Sequence, residues 1–355
     1  MPFLVDIQIA FPNNYYSQED LIVEVSKVWK DKISNISRVE TIYRNVCVNK
    51  RHIAVPLEEY FNLETFDDKN GKFIEVATNI ATEAVENIFK KNDISPDEIT
   101  SLWSNTVTGF AIPSLEARVM NRISFKQNIK RVPILGLGCM AGIAGINRVA
   151  DYLKGYPKEA VIFFSTELCS LTFQINDVSA ANLISTGLFG DGAAAVLMVG
   201  DEHPLKIKAP MEWLGSESIF FPNTERTMGW EVGSTGLKII LSKGVPELAR
   251  DELGVPIDNF LKKNKLELRD IKTFMAHPGG PKVLTAMEQV FDLPGRGLHH
   301  SWKSLAENGN MSSVSVLDII KRTLVSRTSE KKGEYALGVA MGPAFSAEVG
   351  LFKWN

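Results

Sequence analysis

The chain repeats a pattern of residues in its two halves, and this repeat constrains the fold more than any other feature of the sequence. Residues 89–103 and 261–275 share Lys-Lys-Asn followed by apolar positions at the same spacing, 172 positions apart. Each stretch predicts the end of a helix, a short loop and a buried strand. A second pair, residues 139–153 and 310–324, repeats a helical pattern 171 positions apart.

Short strand–helix units can resemble one another by chance in any α/β protein, but two repeats at nearly one spacing favour an internal duplication. We therefore predict two similar α/β halves with mixed sheets and helix layers, over residues 1–205 and 206–355. The length of 355 residues suits such a fold with two lobes.

Composition excludes several classes of protein. Lys plus Arg number 39 and Asp plus Glu number 42, so a net charge of −3 gives no general electrostatic reason to bind nucleic acid or anionic membranes. The amino terminus lacks the features of a secretory signal, and the longest apolar run, residues 134–146, is too short to span a bilayer. Three cysteines do not make a disulfide scaffold and suit a reducing compartment. We therefore expect a soluble cytoplasmic protein with no nucleic-acid partner and no membrane span.

Cys139 is the first candidate for chemistry. It lies in residues 137–142 (LGCMAG), between a predicted strand and a predicted helix. A thiol in this position faces the positive end of the helix dipole, which favours the thiolate. The neighbouring glycines allow a sharp turn and the close approach of a substrate. A buried structural cysteine is the alternative interpretation, and it is the one we expect for Cys47 and, from the residues around it, for Cys169.

Two further candidates come from the second half of the chain. His277 precedes Pro-Gly-Gly at the predicted end of a strand, where active sites are commonly built. Asn310 begins the helix that repeats the Cys139 helix. Taken singly, the two could be a turn histidine and a helix cap. If a pseudo-twofold axis relates the halves, however, Cys139 and Asn310 face one central site from opposite sides.

A set of cysteine, histidine and asparagine has two chemical uses. In a hydrolase, histidine takes the thiol proton and water cleaves the acyl-enzyme. In a condensing enzyme, cysteine holds an acyl chain while histidine and asparagine donate hydrogen bonds to the enolate oxygen that decarboxylation of a malonyl thioester creates. The sequence offers no acidic residue beside the three motifs to orient histidine as a hydrolytic base. We therefore favour carbon–carbon bond formation.

Together the motifs resemble those of the type III polyketide synthases, the chalcone-synthase-like branch of the thiolase superfamily. The matching stretches, in the order of the family, are residues 138–142 (GCMAG), 188–195 (LFGDGAAA), 277–281 (HPGGP) and 309–313 (GNMSS). The resemblance implies a thiolase-like α/β fold of five layers, αβαβα, with two duplicated halves. It further implies a homodimer that acts on acyl-CoA and malonyl-CoA thioesters, with no bound cofactor and no metal.

The resemblance also implies roles for individual residues. Cys139 would carry the starter acyl group, and His277 and Asn310 would drive decarboxylation of the malonyl thioester. His277 would in addition hold the Cys139 thiolate as an ion pair. Phe189 would be the gatekeeper between the coenzyme A tunnel and the cavity, with a core aromatic beside a tight turn as the alternative.

Two positions depart from the pattern of the plant enzymes. Trp230 stands where the plant pattern has a small glycine, so it should shrink the cavity for chain growth and limit the number of condensations. Ile239 stands where the pattern has a second gatekeeping phenylalanine, and it could open space for an aliphatic starter. Residues 228–230 (MGW) resemble the bacterial branch that forms alkylpyrones and alkylresorcinols. Closure to a pyrone or to a resorcinol- or phloroglucinol-type ring stays open.

The remaining assignments complete the expected site. The side chains expected to line the cavity, in addition to those above, are Thr108, Cys169, Thr172 and Ser312. Coenzyme A contacts are expected from basic residues of the segment 38–51, although a solvated basic face explains these charges equally well. The basic residues in question are Arg38, Arg44, Lys50 and Arg51.

Three alternatives remain. A β-ketoacyl-ACP synthase III resembles the chain in fold and in its Cys–His–Asn set, but it performs one condensation with an extender from a carrier protein. A cysteine hydrolase would release free acid without loss of carbon dioxide, and the duplicated halves argue against it. A catalytically silent binding homologue is the third, and the presence of all three motif residues argues against that.

Overall fold

The computed structural model describes residues 1–326 and 331–355. The α-helices are α1 (Gln18–Trp29), α2 (Ser37–Asn45), α3 (Phe66–Asn92), α4 (Leu115–Met120), α5 (Ala141–Gly155), α6 (Ala180–Leu188), α7 (Val245–Glu252), α8 (Gly254–Lys263), α9 (Pro281–Val290), α10 (His299–Asn308) and α11 (Ser313–Val325). The strands are β1 (Phe3–Ala10), β2 (Asn14–Ser17), β3 (Lys50–Ile53), β4 (Ser101–Asn105), β5 (Lys130–Ile134), β6 (Ala160–Leu168), β7 (Asp191–Val199), β8 (Met211–Phe220), β9 (Met228–Gly233), β10 (Gly236–Leu241), β11 (Ile271–Ala276), β12 (Tyr335–Gly342) and β13 (Ser346–Trp354). Within the described ranges, no helix is both long and apolar enough to cross a bilayer.

The repeated stretches fold into the same succession of elements. Helix α3 leads to β4, and α8 leads to β11, each time through one turn of 3₁₀-helix, Pro96–Glu98 and Leu268–Asp270 respectively. In the same way, Cys139 stands just before α5 and Asn310 just before α11. The repeat in the sequence therefore corresponds to a repeat of helix, turn and strand.

Nine strands form a single sheet in the order β11-β12-β13-β8-β1-β7-β6-β4-β5. The two halves predicted from the repeat share this sheet, and β8 joins their strands. Strand β8 pairs with β13 along its length, and its first two residues, Met211 and Glu212, also pair with Leu4 and Phe3 of β1. A connection of two residue pairs has no hydrophobic pattern of its own, so this junction could not be predicted from the sequence.

Helices α5 and α11 pack against each other in the centre and contact strands of both halves. Helix α3 covers the other side of β1, β6 and β7, and helices α8 to α10 pack around β8 and β11. This is the layered arrangement that the resemblance implied. A Cβ atom at Gly142 in α5 would lie 2.4 Å from the carbonyl oxygen of Ser313, the first residue of α11. Glycine thus lets the two helix starts touch, which brings the turns before them together.

Candidate active site

Elements from both halves bring Cys139, His277 and Asn310 to the wall of one cavity. Cys139 lies in the 3₁₀ turn Gly138–Met140 before α5, His277 follows the last residue of β11, and Asn310 lies between α10 and α11. The cavity has a volume of about 690 Å³, including its mouth. The three residues singled out in the sequence therefore share one enclosed space.

The turn that carries Cys139 needs a glycine. Gly138 has a φ of 55°, in the left-handed region that other residues rarely adopt. A Cβ atom there would also lie 2.3 Å from Cδ of Pro343. The turn is therefore compact enough to place the thiol between α5 and the end of β12.

Burial determines the charge of the Cys139 thiol and the His277 imidazole in the free protein. Burial raises the pKa of Cys139 to about 12; the buried Glu167 carboxylate adds to this, and a hydrogen bond to Ser312 opposes it. Burial lowers the pKa of His277 to about 3. Both directions favour neutral groups at pH 7, against the thiolate–imidazolium pair that we expected. Such a pair would have to be stabilised by the attraction between its own two charges.

His277 has no hydrogen-bond partner on either ring nitrogen within the described part of the chain, although the side chain is only 2% exposed. Its backbone N–H donates to the Val339 oxygen at 2.9 Å, which fixes the residue at the end of β11. Buried polar atoms are nearly always satisfied in native proteins. Two unpaired nitrogens on a cavity wall are therefore available to a substrate or to the thiol.

Asn310 is oriented by its neighbours. Its Oδ1 accepts a hydrogen bond from the backbone N–H of Ser312 at 2.8 Å, which directs the amide nitrogen away from that contact. The preceding Gly309 has a φ of 68°, and a Cβ atom there would lie 2.7 Å from the Leu188 oxygen. The carboxamide is thus held in one orientation, with its N–H₂ group left to donate to another acceptor.

Ser312 and Glu167 form a polar contact beside the thiol. Ser312 lies with its Oγ 3.6 Å from the Cys139 Sγ and 3.4 Å from the Glu167 carboxylate. Its backbone has a φ of 50° although it is not glycine, and such outliers cluster at functional sites. Glu167 also accepts hydrogen bonds from Ser313 and from the Thr108 hydroxyl.

Glu167 could not be found from the motifs alone, because it lies beside none of the three. Glu167 lies far from all three in sequence, and β6, whose residues are all buried, carries it to the thiol. The one available signal was a carboxylate in that apolar strand. Glu167 makes no hydrogen bond to His277 in the described structure, so the histidine still lacks a carboxylate that would orient it as a hydrolytic base.

The predicted gatekeeper and its neighbours line the same cavity. Phe189 follows α6, and its ring centroid lies 6.1 Å from that of Trp230. Trp230 on β9 is the register partner of Ile239 on β10, and both face this cavity. An aromatic pair and an aliphatic side chain therefore form part of the wall of the cavity that holds the catalytic candidates.

Cys169 and Thr172 line a second cavity of about 600 Å³. Phe189 is a wall of both cavities, so the second one adjoins the first. Thr108 lines neither of these cavities; it borders a smaller pocket that also contains Thr172, and its hydroxyl donates to Glu167. These three residues therefore do not line the cavity that holds Cys139.

The four basic residues do not form one surface. Arg38 and Lys50 are exposed, and Arg44 is exposed and pairs with Glu19 and Glu40. Arg51, by contrast, is buried and donates its hydrogen bonds to backbone carbonyl groups. It is therefore not available to a phosphate group at the surface.

Comparisons with known proteins give a consistent result. The profile described as "FAE1/Type III polyketide synthase-like protein" matches residues 59–213, and "Chalcone and stilbene synthases, C-terminal domain" matches residues 214–353. The 1,3,6,8-tetrahydroxynaphthalene synthase of Streptomyces peucetius subsp. caesius is 36% identical over 348 residues, 98% of this chain and 92% of that protein. A putative chalcone synthase of Bacillus subtilis is 35% identical over 363 residues, 100% of this chain and 99% of that protein. The crystal structure of 1,3,6,8-tetrahydroxynaphthalene synthase from Streptomyces coelicolor A3(2) superposes with a TM-score of 0.92 at 26% identity, covering 99% of each chain.

Proposed function

Because this chain belongs to the chalcone and stilbene synthase family of type III polyketide synthases, we propose that it condenses an aliphatic acyl-CoA starter with malonyl-CoA and closes the product to a ring. The chain is an acyltransferase with the thiolase-like α/β fold of this family. The observation that carries the proposal is the meeting of a thiol, an imidazole with two unpaired nitrogens and an oriented carboxamide in one cavity.

In the loading step, His277 takes the proton of Cys139 as the thiolate attacks the thioester carbonyl of the starter. The lowered pKa leaves His277 in its base form at pH 7 but makes it a weaker base, so the proton moves to it only as the bond between sulfur and the carbonyl carbon forms. Coenzyme A then leaves as the thiol and takes the proton from His277. The starter remains on Cys139 as a thioester.

In the condensation step, the thioester carbonyl oxygen of malonyl-CoA accepts hydrogen bonds from His277 and Asn310. Loss of carbon dioxide places negative charge on this oxygen, and the two donors stabilise the enolate. The enolate carbon attacks the thioester on Cys139, whose thiolate leaves. No strong base is required, which agrees with a histidine that no carboxylate hydrogen-bonds in the described structure.

The shape of the cavity supports an aliphatic starter and few extensions. Trp230 fills the wall beside Phe189, and Ile239 adds an aliphatic side chain to that wall in place of a further aromatic ring. We propose an alkylpyrone or alkylresorcinol as the product, on the pattern of residues 228–230. A second candidate is a hydroxylated aromatic compound, because relatives of this chain are named as synthases of 1,3,6,8-tetrahydroxynaphthalene and of phloroglucinol.

Two further parts of the proposal concern partners. Arg38, Arg44 and Lys50 would contact the phosphates of coenzyme A at the entrance. We also propose a homodimer, since Ile112 and Leu135 are exposed apolar side chains and Leu135 directly follows β5, an edge strand of the sheet. Sedimentation equilibrium measures the mass of the particle, and a monomer at micromolar concentration would contradict the dimer.

One incubation separates the candidate functions. The protein is supplied with malonyl-CoA and short, medium or long acyl-CoA starters, and products are measured by mass spectrometry. We expect ring products whose mass follows the starter chain. Release of free acid without carbon dioxide would indicate a hydrolase. Activity with malonyl-ACP only would indicate a single-condensation synthase, and an aromatic product from malonyl-CoA alone would favour the second candidate.

A further inference from the structure

Helix α6 ends just before Phe189, and the last carbonyl oxygens of a helix have no partner within it. Donors from elsewhere in the chain satisfy them here. Arg51 donates from its two terminal nitrogens to the oxygens of Thr186 and Phe189, at 2.5 and 2.9 Å. Gln18 donates from Nε2 to the Gly187 oxygen at 2.8 Å. Arg51 therefore holds the backbone of the gatekeeper itself.

The fourth carbonyl, that of Leu188, connects this helix end to the catalytic candidates. The Asn310 N–H donates to the Leu188 oxygen at 2.9 Å, and the Gly190 N–H donates to the Asn310 oxygen at 3.1 Å. These two hydrogen bonds pair Phe189 with Asn310 as in a short parallel bridge. A shift of the backbone at Phe189 would therefore displace Asn310.

The junction leaves little room for adjustment. A Cβ atom at Gly190 would lie 2.1 Å from the Asn308 oxygen and 3.3 Å from the Cβ of Arg51. The segments that carry Arg51, Phe189 and Asn310 are thus in contact at this glycine. A change in one of them is transmitted to the others because packed interiors do not deform freely.

Burying Arg51 costs free energy that an apolar side chain of similar size would not cost. Arg51 is 3% exposed, burial lowers its pKa, and its Nε has no hydrogen-bond partner in the described part of the chain. Its charge is compensated by the buried Asp191 carboxylate and by the partial negative charge at the carboxyl end of α6. Removing a guanidinium from water costs free energy, and well-aligned hydrogen bonds must offset that cost. Here the planar guanidinium donates two hydrogen bonds at once, to carbonyl groups on either side of the helix end.

We propose that Arg51 is a positioning residue for the condensation reaction: its guanidinium fixes the backbone of Phe189 and, through the bridge to Asn310, the carboxamide that stabilises the enolate. Arg51 does not touch the substrate. The proposal rests on the proposed function, because it requires Asn310 to act on malonyl-CoA.

The first test compares Arg51 with Gln18, which satisfies the adjacent carbonyl and is similarly buried but holds neither Phe189 nor Asn310. We expect Arg51→Met to lower kcat about 100-fold, with KM for both thioesters within about threefold of wild type, since small displacements of catalytic groups have effects of that size. Arg51→Lys keeps the charge but cannot span both carbonyls, so kcat should fall about tenfold. Gln18→Met should lower Tm while kcat stays within about threefold.

The second test is chemical rescue. Arg51 lines the second cavity, so a small guanidinium ion can replace the side chain in Arg51→Ala. Millimolar methylguanidinium should raise the kcat of Arg51→Ala at least about tenfold. Methylammonium, which lacks the planar group with two donors, should not. A purely structural role predicts no difference between the two cations in an already folded variant.

The outcomes separate the inference from the function on which it rests. Wild-type protein that forms no polyketide contradicts the proposed function. An active wild type with Arg51 variants that behave like Gln18→Met, or with no selective rescue, overturns only the positioning role. Failure of every Arg51 variant to fold would also overturn it, because Arg51 would then serve stability alone.

Discussion

The starts of α5 and α11 occupy equivalent places in the repeat, yet they present different chemistry. Cys139 precedes α5 with a thiol, and Asn310 precedes α11 with a carboxamide. Three residues further along each stretch, Gly142 and Ser313 are equivalent in sequence and also meet in space. The repeated backbone thus places two different functional groups on the wall of one cavity.

Gly142 and Ser313 show how two equivalent positions of the repeat come to have different chemistry. Ser313 keeps a hydroxyl that donates to Glu167 and accepts from Asn105. Gly142 has no side chain because the opposite helix occupies that space. Duplication therefore specifies where the two turns meet, whereas single residues specify what each turn can do.

The largest expected effect comes from removing the group at the start of α5. Cys139→Ala should lower polyketide formation at least about 10⁴-fold, because no acyl-enzyme can form. Cys139→Gln should still release carbon dioxide from malonyl-CoA, since His277 and Asn310 remain. Radiolabelled malonyl-CoA measures both steps. Full polyketide synthesis by the alanine variant would refute the assigned nucleophile.

Removing the group at the start of α11 should have a smaller effect. Asn310→Ala deletes one donor to the enolate oxygen, and we expect kcat to fall about 10²- to 10³-fold, with loading of the starter less affected. Asn308→Ala is the control, because this nearby amide is directed at Asp318 and lines no part of the cavity. Equal losses in the two variants, measured by single-turnover kinetics, would argue against a role for Asn310 in the enolate.

The contact between the two helix starts can be tested by stability. Gly142→Ala places a methyl group against the Ser313 oxygen, so the free energy of unfolding should fall by about 3 kcal/mol in urea titrations. Gly155→Ala at the end of the same helix meets nothing within 4 Å and should change stability by less than about 1 kcal/mol. An unchanged urea midpoint for Gly142→Ala would show that α5 and α11 can move apart without loss of stability.

The smallest effect on rate should come from Trp230, which the second half adds to the cavity wall beside Phe189 of the first half. Trp230→Gly enlarges the cavity beside Phe189, so products should gain at least one ketide unit while total turnover changes little. Val232→Ala, at an exposed position of the same strand, is the control. The products of both variants are measured by mass spectrometry. An unchanged product profile in Trp230→Gly would show that this side chain does not line the space in which the chain grows.

The sequence predicted the parts of the site that depend on local motifs. Cys139, His277 and Asn310 could be found because each stands at a predicted boundary between elements and two of them lie in repeated units. Arg51 was misinterpreted as a surface base, since a sequence shows charge but not burial. Glu167 was missed because only the folded sheet brings it to the thiol. The neutral state of the thiol and imidazole likewise depends on desolvation, which the helix-dipole argument did not include.

Phe189 is the wall that the two large cavities share, and this has a consequence for what the protein can hold. The backbone of this residue is tied on both sides, but its ring can still turn about the side-chain bonds. Rotation into another staggered position would change the partition between the two spaces. The longest intermediate that fits inside would then be decided by one torsion angle, with no movement of any helix or strand.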